Sequence, residues 1–254
     1  EMFERATAHF DSALALAADS TRVLNLARVG RARALLGLAR FADAATSVAA
    51  VPTAYVFATD ASAAVQPNGV FDVINNRRQL TVADREGTNG LDFRSAADPR
   101  VPTDFVGTTP GGTGDIHGFS RYASLAAPIT LASGVEARLI EAEAMLRAGD
   151  AAGALTILNA LRATMPGLAP LGDAGSEAAR VDQLFRERAF WLFATGHRQG
   201  DLRRLVRQYG RPPDSVFPSG PYFGGQFYGS DVNFAPEAAQ LQSPLYTGCA
   251  SREA

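Results

Sequence analysis

The chain has 254 residues, of which 46% are hydrophobic, with 24 basic and 26 acidic side chains and a formal net charge of -2. That apolar content fills one domain or two small ones and excludes a disordered chain. The near-neutral balance excludes a general nucleic-acid binder, which needs a basic excess. Every Lys/Arg position is Arg, so neither a Walker-type phosphate loop nor a Schiff-base lysine can be built. Cys249 is the single cysteine and has no intrachain partner for a disulfide. No run reaches the roughly 18 apolar residues of a membrane helix, and no signal peptide is legible. The first residues already follow a helical pattern, so the expectation is one domain over 1–254 that lacks its N-terminal part.

Residues 1–51 read as helices. In "FERATAHFDSALALA", Phe3, Ala6, Phe10, Ala13, Leu14 and Ala17 keep the three-four spacing of an amphipathic helix. Thr21–Leu38 and Arg40–Val51 read as the next two. Residues 52–134 are loop-rich, with Pro, Gly, Asn and Asp around β-prone pieces such as "AYVFAT" and "FDVIN". Residues 135–211 return to helices. Ser133 and Glu136 form an S-x-x-E capping box. "VEARLIEAEAMLR" follows, Gly149-Asp150 ends it and caps "AAGALTILNALRATM", and Pro166-Gly167 stops that helix. The tail, 212–254, is loop-like and rich in Gly, Pro and aromatics.

An ungapped internal match joins the two helical zones. "ALLGLARFADAATSVAAV" (Ala34–Val51) aligns with "AMLRAGDAAGALTILNAL" (Ala144–Leu161), with Ala34/Ala144, Leu36/Leu146, Ala42/Ala152, Ala44/Ala154, Thr46/Thr156 and Ala50/Ala160 identical. Small residues at these positions let two helices approach closely, the texture of tetratricopeptide-like helix pairs.

Catalytic chemistry finds no foothold. His9, His117 and His197 are far apart, and no H-E-x-x-H or Cys/His cluster exists. Asp115 and His117 fall on one strand face, but two ligands are not a metal site. "PGGTGD" (110–115) lacks the Lys-Ser/Thr ending and following helix of a phosphate loop. Glu141 and Glu143, two apart on one helix, do not converge as an acid/base pair; one flanks the core and the other is solvated. "ASGVE" is not a nucleophile elbow.

"FRERAFWLFATGHRQGDLRRL" (Phe185–Leu205) holds the only Trp amid charges. Val181, Leu184, Phe185, Ala189, Leu192 and Phe193 form a broad apolar face that Phe190 and Trp191 extend, and Gly196 is a helix stop. Bending there brings Glu187 to Arg198 and Arg188 to Asp201, a charged clasp around Trp191, since a buried charge must be paired.

"ARLIEAEAMLRAGDAAGALTILNALRA" followed by "FRERAFWLFATGHRQGDLRR" resembles the signature of SusD/RagB-type proteins: an L-I-x-A-E-A helix, a Gly-Asp turn, an L-N-x-L/I-R helix, then E-R-x-x-E-L-x-x-E-G-x-R-x-x-D-L-R-R. Glu187, Arg188, Gly196, Arg198, Asp201, Leu202, Arg203 and Arg204 fit; Trp191 and Thr195 stand where the pattern has acids. "DPR" (Asp98–Arg100) is similar to the family's D-x-R element, and "NFAPEAAQLQSPLY" to its closing segment.

The resemblance implies a mainly α, SusD-like fold: tetratricopeptide-like helix pairs with a long loop-rich insertion containing short strands. It also implies a non-enzymatic, outward-facing lipoprotein of the outer membrane, anchored by a lipid outside this chain. Such a protein takes no cofactor and no metal. It captures a glycan, or in some branches a peptide, for a TonB-dependent SusC-type transporter. Sugar capture needs exposed rings among amide and carboxylate groups. Tyr222, Phe223, Phe227 and Tyr228 with Gln226, Asp231 and Asn233 are the candidates in the tail, and Tyr55, Phe71, Asn75, Asn76, Arg77 and Tyr122 in the middle zone. These rings equally suit a sealed core or a transporter interface. The alternatives are a tetratricopeptide-like protein-interaction scaffold with no small-molecule site, and a helical glycan hydrolase, which needs two converging carboxylates.

Overall fold

The computed structural model describes residues 1–254 except 18, 110, 113, 223–225, 230–231, 233–241 and 245–254. It is mainly α, with two small antiparallel sheets. The chain divides into two compact units, one comprising 1–82 and 96–197, the other 83–95 and 198–254. Among the described residues, no helix is long and apolar enough to cross a membrane.

The first unit begins with α1 (Met2–Leu16), α2 (Thr21–Gly37) and α3 (Phe41–Val48). Ser20 caps α2 by accepting the Val23 amide. α1 packs on α2 where Phe10 meets Gly30 and Phe3 meets Gly37, positions with no room for a Cβ. The second helical group is α5 (Gly134–Arg147), α6 (Ala151–Ala163) and α7 (Glu177–Trp191), with α4 (Gly69–Phe71) in the insertion between. Val29, Leu35, Ala44 and Val48 of the first group share one core with Ala137 and Ile140 of α5. Arg138 on α5 fastens that contact, donating to the Val48 and Val51 carbonyls at the end of α3, each 3.2 Å away.

The internal match is carried by backbone geometry. At its turn, Leu38, Ala39 and Arg40 donate to Ala34, Leu36 and Leu35; 110 positions later, Ala148, Gly149 and Asp150 donate to Ala144, Leu146 and Met145. Ala39 (φ 57) and Gly149 (φ 86) hold the same left-handed position. A three-residue link between packed helices makes each pair, α2–α3 and α5–α6, antiparallel neighbours.

The loop-rich insertion is tied to this frame by short strands. β1 (Val56–Thr59) pairs with β4 (Ile129–Ser133), which runs directly into α5, and β2 (Thr103–Thr108) pairs with β3 (Asp115–Phe119). β1 falls within "AYVFAT" as its composition indicates. "FDVIN" does not form a strand: Gly69–Phe71 is a short helix that continues as a π-helical turn over Asp72–Asn76. The reason is local. Asn68 caps the turn through the Phe71 amide, and Asp72 accepts from Asn76 four residues on, so side-chain bonds outweigh the β preference of Val73 and Ile74.

The second unit contains α8 (Arg198–Tyr209) and α9 (Pro213–Val216). Its loop 83–95 is stitched to the tail by Asn89, whose amide donates to Asp214 and Phe217 while its carbonyl accepts from Ser219. Gly87 (φ +59) sits where a Cβ would strike the Ser219 carbonyl.

Candidate functional site

Glu187 lies on α7, which starts at a Ser176 cap and presents a face buried almost all round. Both its oxygens are taken. Arg100 donates to Oε2 at 2.5 Å and to Oε1 at 3.1 Å, and Arg162 on α6 donates to Oε1 at 2.7 Å. Arg100 also forks onto Asp98, at 2.9 and 2.6 Å. Its guanidinium carbon lies 5.2 Å from the Phe190 and Trp191 ring centroids, and Arg100 is 1% exposed. Burial pushes the Asp98 carboxyl up, but hydrogen bonds and charge from Arg100 hold it below the usual carboxylate range.

The sequence pattern does not indicate the partners that Glu187 has within the first unit: it is held by Arg100, 87 residues earlier in the chain, and by Arg162. Arg188 is buried with its guanidinium 4.0 Å from Glu143. Glu143 itself is fully buried and Glu141 pairs with Arg138 at 2.8 Å, so neither of these two acids is simply solvated. In the second unit, Arg204 donates to Asp201 at 3.0 Å. Burial pulls the Arg198 guanidinium down against the charges of Asp201 and Glu86.

A second buried carboxylate, Glu136, opens α5. Ser133 accepts the Glu136 amide at 3.1 Å, one half of the capping box. The other half is diverted, because Arg33 donates to Oε2 at 2.6 Å and His197 Nε2 lies 2.9 Å from Oε1. Burial pushes the Glu136 carboxyl up, but the hydrogen bonds and charges of Arg33 and His197 bring it down to about 2. The Thr195 hydroxyl lies 2.6 Å from the Leu192 carbonyl and 2.8 Å from His197 Nδ1, so it links the imidazole to the end of α7.

Beside this cluster, within the first unit, is a recess of about 170 Å³. Its walls include Val56 and Leu131 at the strand edge, Tyr122 and Arg121 after β3, and Trp191 and Leu192 at the end of α7. Sequence reasoning singled out Tyr122 and Trp191 but missed Arg33, Arg121, Arg162 and the role of Glu136. Their partners are distant in the chain: Arg162 falls in the "LNALR" motif and Glu136 in the capping box, but neither pattern names the partner.

The candidate binding residues of the insertion are engaged internally. Asn75 accepts the Phe119 amide at 3.2 Å, Asn76 donates to Asp72 at 2.9 Å, and Arg77 pairs with Asp72 at 2.5 Å. The Tyr55 hydroxyl donates to the Arg22 carbonyl, and Tyr122 is buried edge-on to Phe119 at 5.4 Å. Phe71 is half-buried in the short helix before the π-turn. Asn75, Asn76 and Arg77 thus hold the insertion's own turn and strand in place.

The tail candidates are on a ribbon in the second unit. Tyr222 N donates to Gln226 O at 2.7 Å and Tyr228 N to Gly220 O at 2.9 Å, bringing Pro221 opposite Phe227. The Tyr222 and Tyr228 rings are 5.4 Å apart at 55°. Tyr222 is 37% and Phe227 72% exposed. The Tyr222 hydroxyl bonds to the Gln226 side chain. Burial and then the charge of Glu86 push the Tyr228 hydroxyl up. Phe223, Asp231, Asn233 and most of the closing segment lie outside the described residues. Among the described residues, no three His, Cys, Asp or Glu side chains gather as metal ligands.

Comparisons with protein-family models, with curated proteins and with solved structures find no match to this chain.

Proposed function

We propose that this chain is the capture component of an outer-membrane nutrient-uptake system, of the SusD/RagB type. It binds a glycan or oligosaccharide, or in a related branch a peptide, and hands it to a TonB-dependent SusC-type transporter. It is an outward-facing lipoprotein with no catalytic step and no cofactor, and its helix pairs are a tetratricopeptide-like scaffold. The observation that carries the binding role is the exposed aromatic ribbon. Tyr222, Tyr228 and Phe227 stand together with the Gln226 amide and near Glu86. Sugars present C–H faces to rings and hydroxyls to amides and carboxylates, which is the pairing this ribbon offers.

The SusD-like part of the reading draws support from where its motifs meet. Asp98–Arg100, Arg162 of "LNALR" and Glu187 of "RER" come from separate stretches and share one buried ion network. The test is calorimetric titration of an oligosaccharide panel into the protein. Saturable heat with at least one glycan is expected. A second reading, a tetratricopeptide-like interaction scaffold without a small-molecule site, is favoured by the matched hairpin geometry of α2–α3 and α5–α6. It predicts no heat from any glycan.

A further inference from the structure

We propose that the recess beside Trp191 binds a small carboxylic acid with a flat apolar body, its carboxylate held by Arg121. The size fits: about 170 Å³ is close to the roughly 150 Å³ cavity that takes a single benzene ring. The lining fits too. Val56 and Leu131 at the rim are 58% and 42% exposed, while Tyr122, Trp191 and Leu192 form buried apolar walls. Two exposed aliphatic side chains over a buried apolar wall are costly to leave in water and are covered by an apolar ligand.

Charge selects the ligand's polar end. Arg121 lines the recess, and its guanidinium donates once, to the Arg100 carbonyl at 2.8 Å. It has no carboxylate partner among the described residues. Its remaining donors suit the two oxygens of a carboxylate, the bidentate geometry that guanidinium favours. Glu136, the acid at the recess, does not compete, because its oxygens are occupied by Arg33 and His197. A cation would be repelled by Arg121. A sugar finds no exposed ring to stack on, since Trp191 and Tyr122 are 8% and 6% exposed. Ligand class and location both differ from those of the ribbon, so the two proposals stand or fall separately.

Trp191 is the only Trp of the chain, so its fluorescence reads occupancy of the recess directly. Phenylacetate and its neutral isostere phenylacetamide are titrated against the full chain. The expected result is a saturable change with the acid, about tenfold weaker with the amide and about tenfold weaker in Arg121→Gln, the loss of one charge-assisted contact. Val56→Glu, an exposed rim substitution that spares the core, places a negative charge by the carboxylate and weakens binding by a similar factor. Acid and amide binding equally, affinity untouched by both substitutions, or no saturable change through the millimolar range overturns the proposal.

Discussion

The Glu187 network and the Tyr222 ribbon are two polar-aromatic constellations built in opposite ways. Around Glu187 the charges are closed on one another: both carboxylate oxygens, the Arg100 fork and the flanking Phe190 and Trp191 rings are all committed inside the protein. On the ribbon, Tyr222 and Phe227 stay exposed, and the Tyr222 and Tyr228 hydroxyls are tied, to Gln226 and Glu86. A closed constellation stabilises and has nothing left for a ligand. An open one adds little stability and keeps its contacts for a partner. The charged, motif-rich stretch is therefore architecture, and the plain Gly- and Tyr-rich tail is the better place to look for binding.

The largest expected effect breaks the closed side. Glu187→Ala leaves Arg100 and Arg162 facing an uncompensated cavity and costs about 3 to 5 kcal/mol, read as a drop in denaturant midpoint. Glycan affinity of the fraction that remains folded is unchanged. A stable variant that has lost glycan binding would reverse the assignment of the two regions.

Acid tests the second buried carboxylate. Glu136 titrates at about 2 in the folded chain against an ordinary 4.5. Its folded value is depressed, so its contribution is fully present above about pH 4.5 and is lost as the pH falls towards 2; the shift corresponds to roughly 3 kcal/mol. Urea midpoints measured across that window should decline in the wild type. In Glu136→Gln the midpoint should be lower at neutral pH, and this part of the decline should vanish.

A smaller effect checks the paired hairpins. Gly149→Ala puts a Cβ at φ 86 and should cost about 1 kcal/mol. Ala39→Gly relieves the same position in the first pair and should raise the melting temperature, by less, because glycine also frees the unfolded chain. Opposite signs at positions 39 and 149 mark them as one structural position used twice.

Much of the helical frame was legible. The three-four spacing, the Ser133 cap and the Gly149-Asp150 turn locate helices to within a few residues, because those signals are local. The internal match led to two hairpins with the same hydrogen bonds. Pairing across the chain was not legible: Arg100 meets Glu187 over 87 residues, and an Arg-rich sequence offers Glu187 many partners that only packing can choose among. "FDVIN" misled because Asn68 and Asp72 bond locally against the β preference of the residues between. Of the candidate site, the ribbon rings were identifiable as aromatics among glycines. The internal partners of Asn75, Asn76 and Arg77 were not legible, because Phe119 lies 44 residues away from Asn75 and a turn's side-chain bonds leave no pattern.

The smallest expected change in stability belongs to the ribbon, and it is the most decisive. Tyr222→Ala and Tyr228→Ala are compared with the wild type by calorimetry against the best-binding oligosaccharide, with melting temperatures recorded in parallel. For Tyr222→Ala the account predicts stability within about 0.5 kcal/mol of wild type. Each variant should lose about 1 to 2 kcal/mol of binding, roughly five- to thirtyfold in affinity. Wild-type affinity in both variants would contradict it and remove the ribbon from the binding site.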